Sequence, residues 1–226
     1  SSILDPQNSI VVAVLALPKP RFVDVPLDAP YYNAVHLLGE LEVVAGYWDA
    51  IHYAPNETLT RADMAALIVR SVRVARGLPA NPPDSYGTPY FSDVYPPMWS
   101  FKFVQALKEM GLTNGCGGGL FCPGLGVTHP EISAFVVRAN EYVRTGLPLN
   151  LDTFTVTLVN PFPPYCFTDN TDTTQWYFRY VQKIGEMGVL NQACGQGVLP
   201  VSATPAVARS TAVFFMSRGI LGEMEF

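Results

Sequence analysis

Three positions in this chain carry, or replace, a cation at one place in a repeated pattern, and a cation so placed is fitted to bind an anion. Arg61, His129 and Arg209 each lie nine residues before a second arginine, namely Arg70, Arg138 and Arg218. The runs concerned are "TRADMAALIVRSV", "THPEISAFVVRAN" and "ARSTAVFFMSRGI". Thr60 followed by Asp63 reads as a capping box, in which side-chain oxygens accept from the free N–H groups of a helix start. That device explains Thr60 and Asp63 but not Arg61. A positive charge beside the positive end of a helix is unfavourable, so some other group must require it. His129, mostly neutral at pH 7, removes the charge from the second run while Thr128 and Glu131 keep the box and Pro130 fits the first turn. In the third run Ala208 and Thr211 replace cap and acid, and Thr204 with Pro205 offers an earlier start that would place Arg209 inside the helix.

Other reactive side chains are few. Cys116, Cys122, Cys166 and Cys194 read as two disulfides, which implies an oxidising location outside the cytoplasm. Zinc would need a paired C-x-x-C spacing, and that spacing is missing. Several connectivities are open to four cysteines. Locality favours Cys116 with Cys122 and Cys166 with Cys194. His36, His52 and His129 form no zinc-binding pair, and no nucleophile elbow is present, so we expect no catalytic residue, metal or cofactor. "GCGGGLF" lacks the Lys-Ser/Thr of a phosphate loop, and "DNTDTT" at 169–174 lacks the alternating ligands of a calcium loop. Fourteen basic and nineteen acidic residues give a net charge of −5, with no Lys/Arg cluster, which argues against a nucleic-acid partner.

The elements that must position these groups recur. Of 226 residues, 49% are apolar and 15% charged, the balance of an ordered protein. "FVDV" at 22–25, "FSDV" at 91–94 and "FTDN" at 167–170 share Phe-x-Asp. An aromatic-led amphipathic run follows each, with Trp99, Phe103, Leu107 and Met110, then Trp176, Tyr180, Ile184 and Met187, at helical spacing. Gly111 and Gly188 end these helices. A loop and the arginine-bearing second helix complete each unit. Trp99 and Trp176 head amphipathic helices, so core packing is their default reading. The Phe-x-Asp aspartates are expected to cap the segments that follow them.

These pieces resemble the S-layer homology family, whose repeat runs Phe-x-Asp-Val, an aromatic-led helix, a glycine turn, Phe-x-Pro, then Thr-Arg-Ala-Glu opening a second helix. The matching pieces are "FVDV", "YAPNETLTRAD", "FSDV", "GLTNG", "FCPGLGVTHPE" and "FTDN", spread over residues 22–221, with the third unit eroded. The cysteine-bearing loop of the second unit is similar to cysteine-containing bacterial extracellular members. The resemblance implies a mainly α fold of three tandem helical repeats in a pseudo-threefold arrangement, the first helices forming the central bundle. The units are residues 22–80, 81–150 and 151–226, after an N-terminal extension at 1–21. It also implies grooves that bind anionic cell-wall polysaccharide, the motif arginine pairing with a carboxylate and an aromatic side chain stacking on sugar. Position by position, Arg61 and Arg209 carry the charge, Trp99 and Trp176 are the aromatics with Tyr31 at roughly that place in the first unit, and Asp24 and Asp93 belong to the Phe-x-Asp turn, as does Asp169.

Two segments are foreign to such repeats. "IVVAVLAL" at 10–17, with Ile10, Val12, Val14, Leu15 and Leu17, is apolar on both faces, as in a covered strand, and is too short to span a membrane. "TFTVTLV" at 153–159 alternates Phe154, Val156 and Leu158 with threonines, a half-buried strand pattern. A lone strand leaves backbone groups unpaired, so the two are natural partners. With no initiator Met and no basic n-region in "SSILDPQNS", Ser1 is read as the start of a mature, processed chain, a retained signal core being the alternative; the resemblance implies a bacterial cell surface. In the family the repeats usually tether a larger domain; here they fill almost the whole chain. The expected function is therefore a non-catalytic subunit of an extracellular layer or filament, identical subunits being joined by donation of the N-terminal strand to the strand at 154–158. The alternative is a wall-glycan anchor.

Overall fold

The computed structural model describes residues 21–84, 87–150, 153–156, 166–167, 169–190 and 206–222. It is mainly helical, and among the described residues there is no named strand, only isolated bridges. Six helices follow in order: α1 (Tyr32–Glu40), α2 (Arg61–Ala75), α3 (Phe101–Glu109), α4 (His129–Thr145), α5 (Phe178–Glu186) and α6 (Arg209–Gly219). The pairs α1/α2, α3/α4 and α5/α6 are the two helices of the three sequence units.

The second helices, not the first, pack against one another. α2 meets α4, α4 meets α6, and α6 meets α2. Each nine-residue first helix lies against the second helix of the unit before it: α3 on α2, α5 on α4, and α1 on α6. The expected central bundle of first helices is therefore corrected, and the reason lies in the faces. α4 buries Ile132, Phe135, Val136 and Val137, apolar on adjacent sides, and α2 buries Met64, Leu67, Ile68 and Val72. A helix apolar over so much of its circumference belongs in the interior, whereas the strongly one-sided α3 and α5 suit an outer layer. One core runs through all three units, from Val35 and Leu38 through Ile68, Val104 and Leu107 to Val136 and Met216.

Backbone hydrogen bonds at the helix starts close the same cycle. The N–H of Leu59 donates to the carbonyl of Val207 at 2.8 Å, that of Val207 to Val127 at 2.7 Å, and that of Val127 to Leu59 at 2.9 Å. These residues immediately precede the N-caps Thr60, Thr128 and Ala208. Three chain entries thus satisfy one another's buried polar groups around a common centre.

A second polar contact recurs inside each unit. The N–H preceding each Phe-x-Asp phenylalanine donates to a buried side chain at one position of the first helix. Arg21 donates to His36 Nδ1 at 2.8 Å, Tyr90 to Gln105 Oε1 at 3.0 Å, and Cys166 to Gln182 Oε1 at 2.7 Å. No pattern of apolar spacing reveals this contact.

The linker departs from expectation. Residues 154–156 form no strand, and Phe154 is buried against the Tyr180 ring, with centroids 5.5 Å apart. The outward helix face offers an aromatic wall there, and packing on it removes Phe154 from water without any strand partner. Val156 is half-buried beside the same core. Leu158 and the proposed donor residues Ile10, Val12, Val14, Leu15 and Leu17 lie outside the described residues. Cys116 and Cys122 are joined, their Cα atoms 6.1 Å apart. Cys166 is disulfide-bonded, and Cys194 lies outside the described residues.

Candidate functional site

The capping boxes form as the sequence implies. Thr60 accepts from the N–H of Asp63 and Thr128 from that of Glu131, while each acid side chain accepts from the cap's own N–H. α6 begins at Arg209 with Ala208 as its uncapped N-cap, so the earlier start at Thr204 is corrected. Arg61, His129 and Arg209 consequently occupy the same first helical position, because the ring of backbone bonds at Leu59, Val127 and Val207 sets all three starts alike.

The charge beside each helix start is required by the neighbouring unit. Arg61, 4% exposed, donates from Nε to the carbonyl of Phe121 at 2.8 Å and from Nη1 to Glu131 Oε1 at 3.0 Å. Arg209, 3% exposed, donates from Nε to the carbonyl of Tyr53 at 2.9 Å and pairs with Asp63 at 3.4 Å. In both cases the acid is the capping-box residue of the next unit's second helix. One carboxylate therefore caps its own helix and holds the neighbour's guanidinium. Burial pulls Arg61 below its ordinary pKa, with Glu131 opposing that shift. Charge-assisted hydrogen bonds of this kind, roughly 1.5–3 kcal/mol each, outweigh the few tenths to 1 kcal/mol of an unfavourable helix dipole.

His129 has no such acid to meet, since Thr211 stands at the corresponding place on α6. Its Nδ1 is buried without a hydrogen bond, and burial lowers its pKa against the pull of Asp169.

Asp24 and Asp93 do not cap the segments that follow them, which corrects that expectation. Asp24 accepts from the N–H groups of Tyr53 and Ala54 at 2.8 and 2.7 Å. Asp93 accepts from those of Phe121 and Cys122 at 2.8 and 2.7 Å. Ala54 and Cys122 sit in the left-handed region, at φ 57° and 60°. Two charge-assisted bonds hold each non-glycine residue in that sparsely populated geometry. The loop so fixed presents the Tyr53 or Phe121 carbonyl to the incoming arginine. Burial raises the Tyr53 hydroxyl far above its ordinary pKa, and it donates to the Arg209 carbonyl.

The tryptophans are not in the core. Trp99 is 58% exposed and Trp176 59% exposed, each two residues ahead of its helix, where the first buried aromatic is Phe101 or Phe178. Pro30 holds that place in the first unit; Tyr31 is one residue later, the half-buried N-cap of α1. The register of the aromatic carry-over is corrected accordingly.

Trp99 stands over a groove of about 710 Å³ between α2 and the start of α3. Tyr47 lines it too, and Thr60, Asp63, Arg70 and Arg209 supply polar groups. The Arg209 guanidinium lies 4.6 Å from the Tyr47 ring centroid. An exposed indole and a tyrosine lining one groove together with polar groups are suited to a sugar ring, whose faces are apolar and whose rim is hydroxylic. Tyr47 and Arg70 were not singled out as site residues from sequence, although Arg70 served as the alignment mark. Arg61 is not among the lining residues; its Nε and Nη1 are committed to Phe121 and Glu131, and its Nη2 is buried without a hydrogen-bond partner. Among the described residues, no cluster of His, Cys, Asp and Glu is arranged to hold a metal. No helix among them is long and apolar enough to cross a membrane.

Comparison with known proteins matches parts of the first two units. Residues 21–65 and 90–131 match the S-layer homology domain. The chain is similar to an endoglucanase of Bacillus sp. (strain KSM-635), 30% identical over 132 residues, covering 57% of this chain and 12% of that protein. It is similar to an amylopullulanase of Thermoanaerobacterium thermosulfurigenes, 24% identical over 159 residues, covering 70% and 7%. A surface layer protein of Brevibacillus choshinensis is 31% identical over 143 residues, covering 63% and 12%. The chain thus spans about a tenth of the length of the curated relatives it matches.

Proposed function

We propose that this chain, which carries S-layer homology segments at 21–65 and 90–131, is a non-catalytic extracellular cell-surface module that binds cell-wall polysaccharide in the groove beneath Trp99. The observation that carries the reading is an indole 58% exposed at a helix start, on a groove that Tyr47 and the polar groups of Thr60, Asp63, Arg70 and Arg209 also line. An aromatic side chain left mostly in water at the rim of a groove contributes little to the core beyond its edge contact with Phe103. It is available to stack on a ligand. The relatives fit the same reading: two are named as glycan-degrading enzymes and one as a surface layer protein, and the match covers only a small part of each. A shared surface-attachment module accounts for such different proteins. Co-sedimentation with purified, protein-free Gram-positive cell walls tests it. Wild-type protein is expected in the pellet, and Trp99→Ala should weaken retention by roughly tenfold, in keeping with the loss of an aromatic contact. Equal retention of the two proteins, or none of the wild type, would overturn the reading.

Self-assembly is a second reading, supported by the apolar run at 10–17 and by relatives named as surface layer and cell wall proteins. In it, identical subunits join head to tail by adding that run to the segment near Phe154, giving a filament or layer. Phe154 is already buried in its own chain, so donation would have to pair the backbone rather than fill a pocket there. Deleting residues 1–17 should abolish polymers and leave the helical content unchanged. Polymers that survive the deletion would refute donation.

A further inference from the structure

We infer that Arg70 is the residue with which this groove recognises the negative charge of an acidic glycan, and that the glycan lies across both sides of Trp99. The inference rests on the wall-polysaccharide reading above. A second hollow of about 520 Å³ lies beside the groove, and the two share Arg70, Met98 and Trp99. Trp99 therefore borders both hollows, the second one adding Asn81 and Lys102.

Pairing off the charges leaves one remaining. In the first hollow Arg209 is paired with Asp63 at 3.4 Å. In the second, Lys102 is paired with Asp84 at 2.9 Å. Arg70 belongs to both hollows and has neither acid. The opposing charge that acts on it is exposed Glu42, outside both. Burial lowers its pKa, yet a guanidinium remains charged at any physiological pH.

Its equivalents in the other units show how an arginine here is satisfied when it has no ligand to meet. Arg138 donates from Nη2 to the Tyr180 hydroxyl at 3.0 Å and from Nη1 to the carbonyl of Leu112 at 3.3 Å. Arg218 donates to the carbonyl of Val189 at 3.2 Å, the same place one unit on. Against Arg70 of the first unit, Phe103 of α3 stands where α5 presents Tyr180 to Arg138, so the hydroxyl is missing, and the guanidinium stacks 4.7 Å from the Phe103 centroid. Its Nε donates to Asn81 at 3.1 Å; among the described residues its Nη groups donate to no protein atom. A stacked guanidinium with its fork free, beside an exposed indole, presents the geometry that a carboxylate meets in two places.

The test uses a carboxylate-bearing polysaccharide released from Gram-positive cell walls, intact and with its carboxylates reduced to alcohols. Wild-type protein should prefer the intact polymer by roughly tenfold, the difference a charge-assisted contact makes. Arg70→Gln should erase that preference, its affinity for the intact polymer falling to that for the reduced one. Arg70→Lys, which keeps a charge over Phe103 and secures the test if the glutamine variant unfolds, should retain part of it. Trp99→Ala should weaken both polymers alike. A preference that survives in Arg70→Gln, or a wild type that does not distinguish the polymers, overturns the role of Arg70 and leaves the groove standing. A wild type that binds neither polymer removes the groove reading and this inference with it.

Discussion

Arg61 and His129 stand at the first position of equivalent helices, and the joints they make differ in chemistry. Arg61 enters the second unit and finds the Phe121 carbonyl and the Glu131 carboxylate. His129 is turned towards a third unit that has Thr211 in place of an acid, and its Nδ1 is left buried and unbonded. Where both members of the pair are present, the joint is ionic and doubly hydrogen-bonded. Where the acid is gone, so is the guanidinium. Cation and capping acid thus belong to one device shared between units, and a buried arginine without its acid would be costly.

The comparison breaks most visibly at Arg61. Arg61→Ala should destabilise the fold by about 3 kcal/mol, the low end for a disrupted buried pair because Glu131 is partly exposed. Urea denaturation measures it. An unchanged midpoint combined with lost wall binding would instead make Arg61 a ligand contact.

The His129 joint can be rebuilt. By the cyclic geometry, residue 129 should face residue 211 as Arg61 faces Glu131. His129→Arg alone should cost about 1–3 kcal/mol as an unpaired buried donor, and adding Thr211→Glu should recover at least about 1 kcal/mol of it. The pH dependence follows the same logic. Burial holds His129 and His36 below their ordinary value of 6.5, so the unfolded chain binds the protons first. Their contribution to stability is complete above that pH and is lost as the pH falls below it towards the folded values. Denaturation midpoints at pH 7.5 and pH 5 should differ accordingly, and the gap should narrow but not vanish in the double variant, since His36 remains. A wider gap would refute the assignment.

The smallest effect expected is at the exposed tryptophans. Trp99→Ala and Trp176→Ala should each change stability by no more than about 0.5 kcal/mol, as surface substitutions do. A loss of several kcal/mol in thermal unfolding would return them to the core.

Local chemistry decided much of this protein in advance. The capping boxes at Thr60 and Thr128, the periodicity of the first helices and the thrice-repeated Phe-x-Asp all act within a few residues, so a linear reading finds them. The Cys116–Cys122 pairing was legible for the same reason. What the aspartates hold was not, because Asp24 and Asp93 act on N–H groups some thirty residues ahead, at separations of 29 and 28 for the first bond of each. The aromatic register slipped because a tryptophan just outside a helix and one just inside it have the same neighbours in sequence, while only the helix start settles which way the ring points. The place of the second helices at the centre was decided by tertiary packing alone: periodicity shows that a helix has an apolar face, and not which other face will cover it. The odd arginine joins the two levels. Sequence determined that its charge was out of place at a helix start, since the dipole is a local property. Only the closing of the three units into a cycle decided what it pairs with, because its carboxylate belongs to the next unit.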